Sequence, residues 1–210
     1  MTHLCTLPVR IRSRIRAWRD DERGSASIEL MLMIPLWLWF MFAAYVFYDG
    51  YRTQSINAKA GYTIGDIVSR QQSWITPEFI DSMHALQALL IETNAPNRLR
   101  VSTFRYIEAE DEMELCWSEV RGGGEPITQG DLDGFTNSIP IMADGDVAIL
   151  VQSRVDYVPV YAAGLDRMQF DDFVITRPRV GQARFNTQNE GGDESTAVYC
   201  REPTQTTGGN

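Results

Sequence analysis

Residues 30–48, from Leu30 to Tyr48, pass nineteen positions without a charge. As a helix this run is about 28 Å long at 1.5 Å per residue, close to a hydrocarbon core of roughly 30 Å. The helical pattern continues beyond it. Ile56, Ala60, Ile64 (or Thr63) and Ile67 recur at spacings of three and four, with Arg52, Asn57, Lys59 and Asp66 elsewhere. The pattern predicts one helix over residues 25–71, its second half amphipathic and leaning on an outer domain. Gly50, Gly61 and Gly65 oppose it, each by up to about 1 kcal/mol against alanine. The Gly61-x-x-x-Gly65 spacing lies past the apolar run, which favours close packing of the domain over dimerisation.

Thr76-Pro77-Glu78 opens a second helix, with threonine as N-cap, proline in the first turn and an acid at the positive dipole end. Its apolar residues are Phe79, Ile80, Met83, Leu86, Leu89 and Leu90, and it stops before Asn94-Ala95-Pro96-Asn97. Period-two alternation then predicts strands. Residues 99–107 alternate through Leu99, Val101, Thr103 and Arg105, and residues 113–120 through Met113, Leu115 and Trp117. Acidic residues 108–112 would join these two as a hairpin. After a Gly/Asp-rich loop through Pro140, residues 146–160 form the clearest strand and residues 171–179 a further one. The fold class is α+β: a long N-terminal transmembrane helix continuing into a domain with a short helix and an antiparallel sheet of about four strands. The chain divides into a basic leader (1–24), the helix (25–72), the α+β domain (73–185) and a polar C-terminal tail (186–210).

Charge adds direction. Of 210 residues, the first 24 hold six arginines against three carboxylates, whereas the remainder holds thirteen basic and twenty-five acidic residues. Lys59 is the only lysine. So acidic a surface argues against nucleic acid, whose binding rests on neutralising phosphates. Arginines before the apolar run place the N-terminus in the cytoplasm, and Tyr45, Tyr48 and Tyr51 stand near the exit interface. The expectation is a single-pass protein of the bacterial inner membrane with its C-terminal domain in the periplasm. The rival is a cleaved signal peptide, but the run exceeds the usual length and Phe42-Ala43-Ala44 is a poor cleavage site. Cys5 lies in the head, which leaves Cys116 and Cys200 outside. In an oxidising compartment these two are a disulfide candidate; the alternative is two unpaired thiols.

Glu29 stands at the mouth of the apolar run. An acid at the centre of a membrane helix costs about 2.5–3.5 kcal/mol on insertion scales, and less near the interface. Either the carboxylate snorkels to water, or it meets a positive group within an assembly and sets the register of neighbouring helices. Gly24-Ser25-Ala26-Ser27-Ile28-Glu29 resembles the Gly-x-x-x-x-Glu processing site of type IV pilin-like proteins. The fuller run from Glu22 to Leu30, with Pro35 inside the apolar stretch, resembles the TadE/TadG-like pseudopilins of tight-adherence (Tad, Flp) pilus systems. The segment Gly145-Asp146-Val147 to Tyr157-Val158-Pro159-Val160 is similar to that family's strand ending in an aromatic residue and a proline. The likeness covers residues 21–60 well and the outer domain loosely.

The resemblance implies a minor pseudopilin, not an enzyme, cut after Gly24 by a prepilin peptidase so that Ser25 becomes the new N-terminus. Glu29 would be the acid needed for processing or assembly. Leu30 departs from the aromatic residue common after that acid in the major pilin, which with the large outer domain favours a minor subunit. Pro35 lacks an amide donor and should bend or locally open the helix. The implied partners are the peptidase, other pilins and pseudopilins, pilus assembly platform proteins and the inner membrane. The alternative is an uncleaved, membrane-anchored envelope binding domain with no pilus role.

The remaining motifs suggest no cofactor or metal. Gly191-Gly192-Asp193-Glu194 spells most of a cyclic-dinucleotide synthase signature without its phenylalanine or its phosphate-binding context. Asp131-x-Asp133-Gly134 and Asp144-Gly145-Asp146 read as turns, since neither fills a calcium loop. His84 is a lone helical histidine without a Cys/His cluster. No serine–histidine–acid set is legible. Acidic residues 108–114 read as a solvated hairpin tip, or as a dock for a basic partner.

Overall fold

A computed structural model describes residues 13–14, 25–92, 95–159, 161, 166–188 and 195–200. Its first described element of any length is helix α1 (Ser25–Ser69), 45 residues with Pro35 inside. The chain forms two compact units, Met1–Tyr48 and Asp49–Asn210. The predicted helix thus ends two residues early. Arg70 N–H donates to the carbonyls of Asp66 and Ile67, each at 3.2 Å, which tightens the last turn, and Ser69 O accepts from Arg179 N at 2.8 Å.

Helix α2 (Pro77–Ile91) starts as its residues require. Thr76 sits in extended backbone and its Oγ1 accepts from Phe79 N at 3.2 Å, with Pro77 in the first turn. It ends at Glu92, which adopts the left-handed region at φ 54°. The strands β1 (Asn97–Ile107), β2 (Glu112–Arg121), β3 (Val147–Tyr157) and β4 (Met168–Thr176) form one antiparallel sheet in the order β2-β1-β3-β4. A one-turn helix α3 (Gln129–Leu132) and a 3₁₀ turn (Asp133–Ser138) lie between β2 and β3. The fold is α+β with a four-stranded antiparallel sheet, and residues 108–111 turn between β1 and β2 as a hairpin.

Both faces of the sheet carry a core at one end, and at the other only the helical face does. On the helical face Leu99, Val101, Ile149, Val151 and Trp117 pack with Ile64, Val68, Ile80 and Met83. On the opposite face Phe104, Ala148 and Leu150 pack with Ile127, Leu132 and Met142. Residues 148–151 are therefore buried in succession, as in a strand covered on two sides. From Gln152 onward burial alternates through Ser153, Val155 and Tyr157, because the second face is open there. β1 mirrors this: Arg98 and Arg100 are half-buried, and residues 101–104 are buried without a break.

Four details depart from the alternation in the sequence. In β2, Trp117 pairs with Thr103 and Leu115 with Phe104, so Cys116 is the extra residue of a bulge. The bulge sends Trp117 to the helical core and leaves Met113 and Leu115 against the other one. In α1 the stripe against the sheet includes Asn57, which is fully buried, while Thr63 is exposed. Asn57 Nδ2 donates to Asp172 Oδ2 at 2.8 Å and to Ser153 O at 3.2 Å. In α2, Gln87 is fully buried and Leu89 exposed. Gln87 bonds Arg98 O and Asn97 Nδ2, which satisfies both ends of its amide.

Gly61 and Gly65 face β4. A Cβ at Gly61 would lie 3.5 Å from Val174 Cγ2 and 3.3 Å from Ser153 Oγ, so these glycines let the helix lie close to the sheet. The last strand runs from Met168 to Thr176, three residues earlier at each end than its pattern predicts. Pro178 lacks the donor needed to extend it. The segment read as a tail from residue 186 is structured in part: β5 (Phe185–Asn186) pairs with β6 (Ala197–Val198). Ile75 N donates to Arg184 O and Asn186 N to Ile75 O, both at 2.9 Å. Phe185 stacks on Trp117 with centroids 5.2 Å apart, and Trp117 Nε1 donates to Ala183 O at 2.9 Å.

Candidate functional site

The N-terminal candidates are placed by α1 alone. Gly24 lies outside the described residues, and Ser25 is the first residue of the helix. Glu29 follows one turn later, and a helix sets positions i and i+4 on one face. Glu29 is exposed and forms no ion pair among the described residues. Beside it, Ala26, Met33, Ile34 and Trp37 line a shallow groove along one side of the helix. Helix α1 continues through Pro35, although the missing N–H leaves Met31 O without its intrahelical donor. Leu30, Met31, Leu32, Leu36 and Trp37 are all more than half exposed. It is the one helix among the described residues long and apolar enough to cross a membrane.

The second site was not foreseen from the chain. Where the sheet's second face is open, Arg98, Arg100, Gln152, Arg154, Asp171 and Phe173 line a cleft of about 440 Å³. Strand register assembles it: Arg98 pairs with Arg154, Arg100 with Gln152, Arg154 with Asp171 and Gln152 with Phe173. Phe135, edge-on to Phe173 at 6.3 Å, closes one wall. The signal in the sequence was Arg98 and Arg100 two positions apart on one strand. Their partner Arg154 is more than fifty positions away, so only the β1–β3 pairing reveals the cluster.

The three arginines are not equivalent. Arg154 is paired with Asp171 through two bonds, Nη2 donating to Oδ2 at 2.8 Å and Nε to Oδ1. The bond to Asp171 raises the Arg154 pKa. Arg100 Nη1 donates only to the neutral Gln152 Oε1, at 3.3 Å, and its Nε is buried with no acceptor. Burial, then repulsion from Arg98, lowers its pKa, yet a guanidinium stays charged at neutral pH. Arg98 forms no ion pair among the described residues and lies over Gly124. A Cβ at Gly124 would come within 2.8 Å of its guanidinium, and one at Gly122 (φ +82°) within 2.0 Å of Asn97 O. The triple glycine lines the adjoining hollow, where glycine at 122 and 124 lets the loop lie close to Asn97 and Arg98.

The other candidates resolve into structure. Cys116 and Cys200 are joined, with Cα atoms 5.2 Å apart across 84 positions. The disulfide ties the β2 bulge to the end of the β5–β6 ladder. His84 Nε2 lies 3.2 Å from Asn97 O, beside the glycine loop. Asp131 accepts from Thr128 N at 2.9 Å and from Thr128 Oγ1 at 2.7 Å, bonds that lower its pKa. Asp146 accepts from Ala143 N and pairs with Arg177, while Asp144 accepts from Glu108 N. These acids organise turns, and among the described residues none gathers with others into a metal-binding group. The Gly191–Glu194 signature lies outside the described residues. Comparison with known proteins finds no family model, no curated sequence and no solved structure that matches the chain.

Proposed function

We propose that the chain is a minor pseudopilin of a Tad-type pilus, cut after Gly24 by a prepilin peptidase and held in the inner membrane by the first half of α1. The observation that carries the reading is the unpaired Glu29, one turn from Ser25, on a helix whose apolar residues point outward. A carboxylate there is unfavourable in hydrocarbon unless a cation meets it. A new amine at Ser25 is such a cation, on the same or a neighbouring helix. The leader stays cytoplasmic, and the disulfide-bonded α+β domain is displayed in the periplasm to other pilins and to the assembly platform. No catalysis is assigned to it.

A second reading, an uncleaved anchored binding domain, draws support from the arginine cleft, which is built from the outer domain alone. Two variants distinguish them. Gly24→Glu blocks processing and leaves the leader on a protein that still inserts. Glu29→Ala abolishes pili while the protein remains in the membrane fraction. Normal piliation in Glu29→Ala would refute the assembly role of the acid.

A further inference from the structure

We propose that the arginine cleft binds the acidic β1–β2 turn of a second copy of this chain, making a head-to-tail contact between outer domains. The inference rests on the sheet alone and does not depend on processing at Gly24.

What the cleft lacks is a carboxylate free to meet Arg98 and Arg100. A buried guanidinium nitrogen without a partner is rare and unfavourable, and Arg100 Nε is one. Arg98 beside it has no carboxylate either. The nearby acids are engaged or peripheral. Asp171 is held by Arg154, Asp131 by Thr128 and Asp172 by Asn57, while Asp156 borders the adjoining hollow beyond Arg154. An oxyanion entering the cleft would meet two cationic donors with fork geometry suited to a carboxylate. The aromatic wall of Phe135 and Phe173 would shield that contact from water.

The matching group lies on the same sheet. Residues 108–114 hold five carboxylates, Glu108, Glu110, Asp111, Glu112 and Glu114. Asp111 accepts from Tyr106 and Glu114 pairs with Arg105, whereas the side chains of Glu110 and Glu112 are exposed without partners among the described residues. The hydrogen bond to Asp111 first, burial second and then the charges of Asp111, Glu108 and Asp144 raise the Tyr106 pKa. The turn cannot reach its own cleft. Arg100 and Ile107 are seven positions apart on β1, about 23 Å at 3.3 Å per residue. A donor at one end and an acceptor at the other form a heterologous pair, which closes into a ring or extends as a filament.

The test uses the full chain reconstituted in lipid vesicles, with Cys5→Ser and a photo-crosslinking residue in place of Ala109. We expect dimers whose crosslinks map to peptides holding Arg98, Arg154 or Phe173. The doubly reversed cleft (Arg98→Glu with Arg100→Glu) should lower the yield at least about tenfold, since like charges across a contact cost several kcal/mol. Mixing that variant with a Glu110→Arg, Glu112→Arg chain should restore the yield, which a merely misfolded cleft could not do. Crosslinks confined to α1, an unchanged yield in the reversed cleft, or no recovery in the swapped pair would each overturn the proposal.

Discussion

Helix α1 is continuous, yet its two halves solve opposite problems. Before Tyr48 its large residues face outward: Met31 is 78% exposed and Trp37 62%. After Asp49 its contact stripe is narrow and small, with Asn57, Ala60, Gly61, Ile64 and Gly65 buried. A helix apolar all round needs an apolar solvent, whereas a helix with a stripe needs one partner surface. The first half therefore depends on its medium and the second on the sheet. Stability of the outer domain should respond to changes in the sheet core, the stripe and the disulfide, while membrane retention should ignore them.

That separation can be challenged at sites of decreasing leverage. Phe104 is fully buried in the core on the second face. Phe104→Ala should cost about 3–5 kcal/mol, read as a lowered denaturant midpoint of the outer domain in detergent, with membrane extraction unchanged. Reducing Cys116–Cys200, which closes 84 positions, should cost about 2–4 kcal/mol, seen as a lower melting temperature with reductant. Asn57→Leu strips Asp172 of its donor at 2.8 Å and should cost about 1–3 kcal/mol. Were either half to unfold together with the other in these variants, the two-solvent view would fail.

The smallest effect is electrostatic. The Thr128 bonds depress the pKa of Asp131 in the folded state. Their stabilisation is complete above the unfolded value, about pH 4, and is lost as pH falls through the lower folded one. Asp131→Asn should flatten the acid limb of a stability–pH curve below that point and leave neutral behaviour nearly unchanged.

Local signals in the chain were legible; signals that needed a partner strand were not. Thr76 as cap, the acidic turn and the antiparallel sheet all follow from neighbouring residues. Cys116 hid its bulge because Met113, Leu115 and Trp117 alternate correctly on paper. Only the pairing of Trp117 with Thr103 and of Leu115 with Phe104 reveals that they face opposite ways. Asn57 read as a polar-face residue because its burial depends on Ser153 and Asp172, about a hundred positions downstream. Leu89, counted among the apolar residues of its helix, is exposed, while Gln87 took a core position by satisfying its amide on β1. The arginine cleft required the same long-range pairing. At the N-terminus the reverse holds, since Gly24, Ser25 and Glu29 form a local motif and the helix adds only that Glu29 is exposed and unpaired.

The most direct test of the pseudopilin reading is intact-mass analysis of the chain extracted from membranes of cells that carry a prepilin peptidase. The reading predicts a mature protein beginning at Ser25, with the six-arginine leader removed. A chain that keeps the leader under those conditions would contradict it.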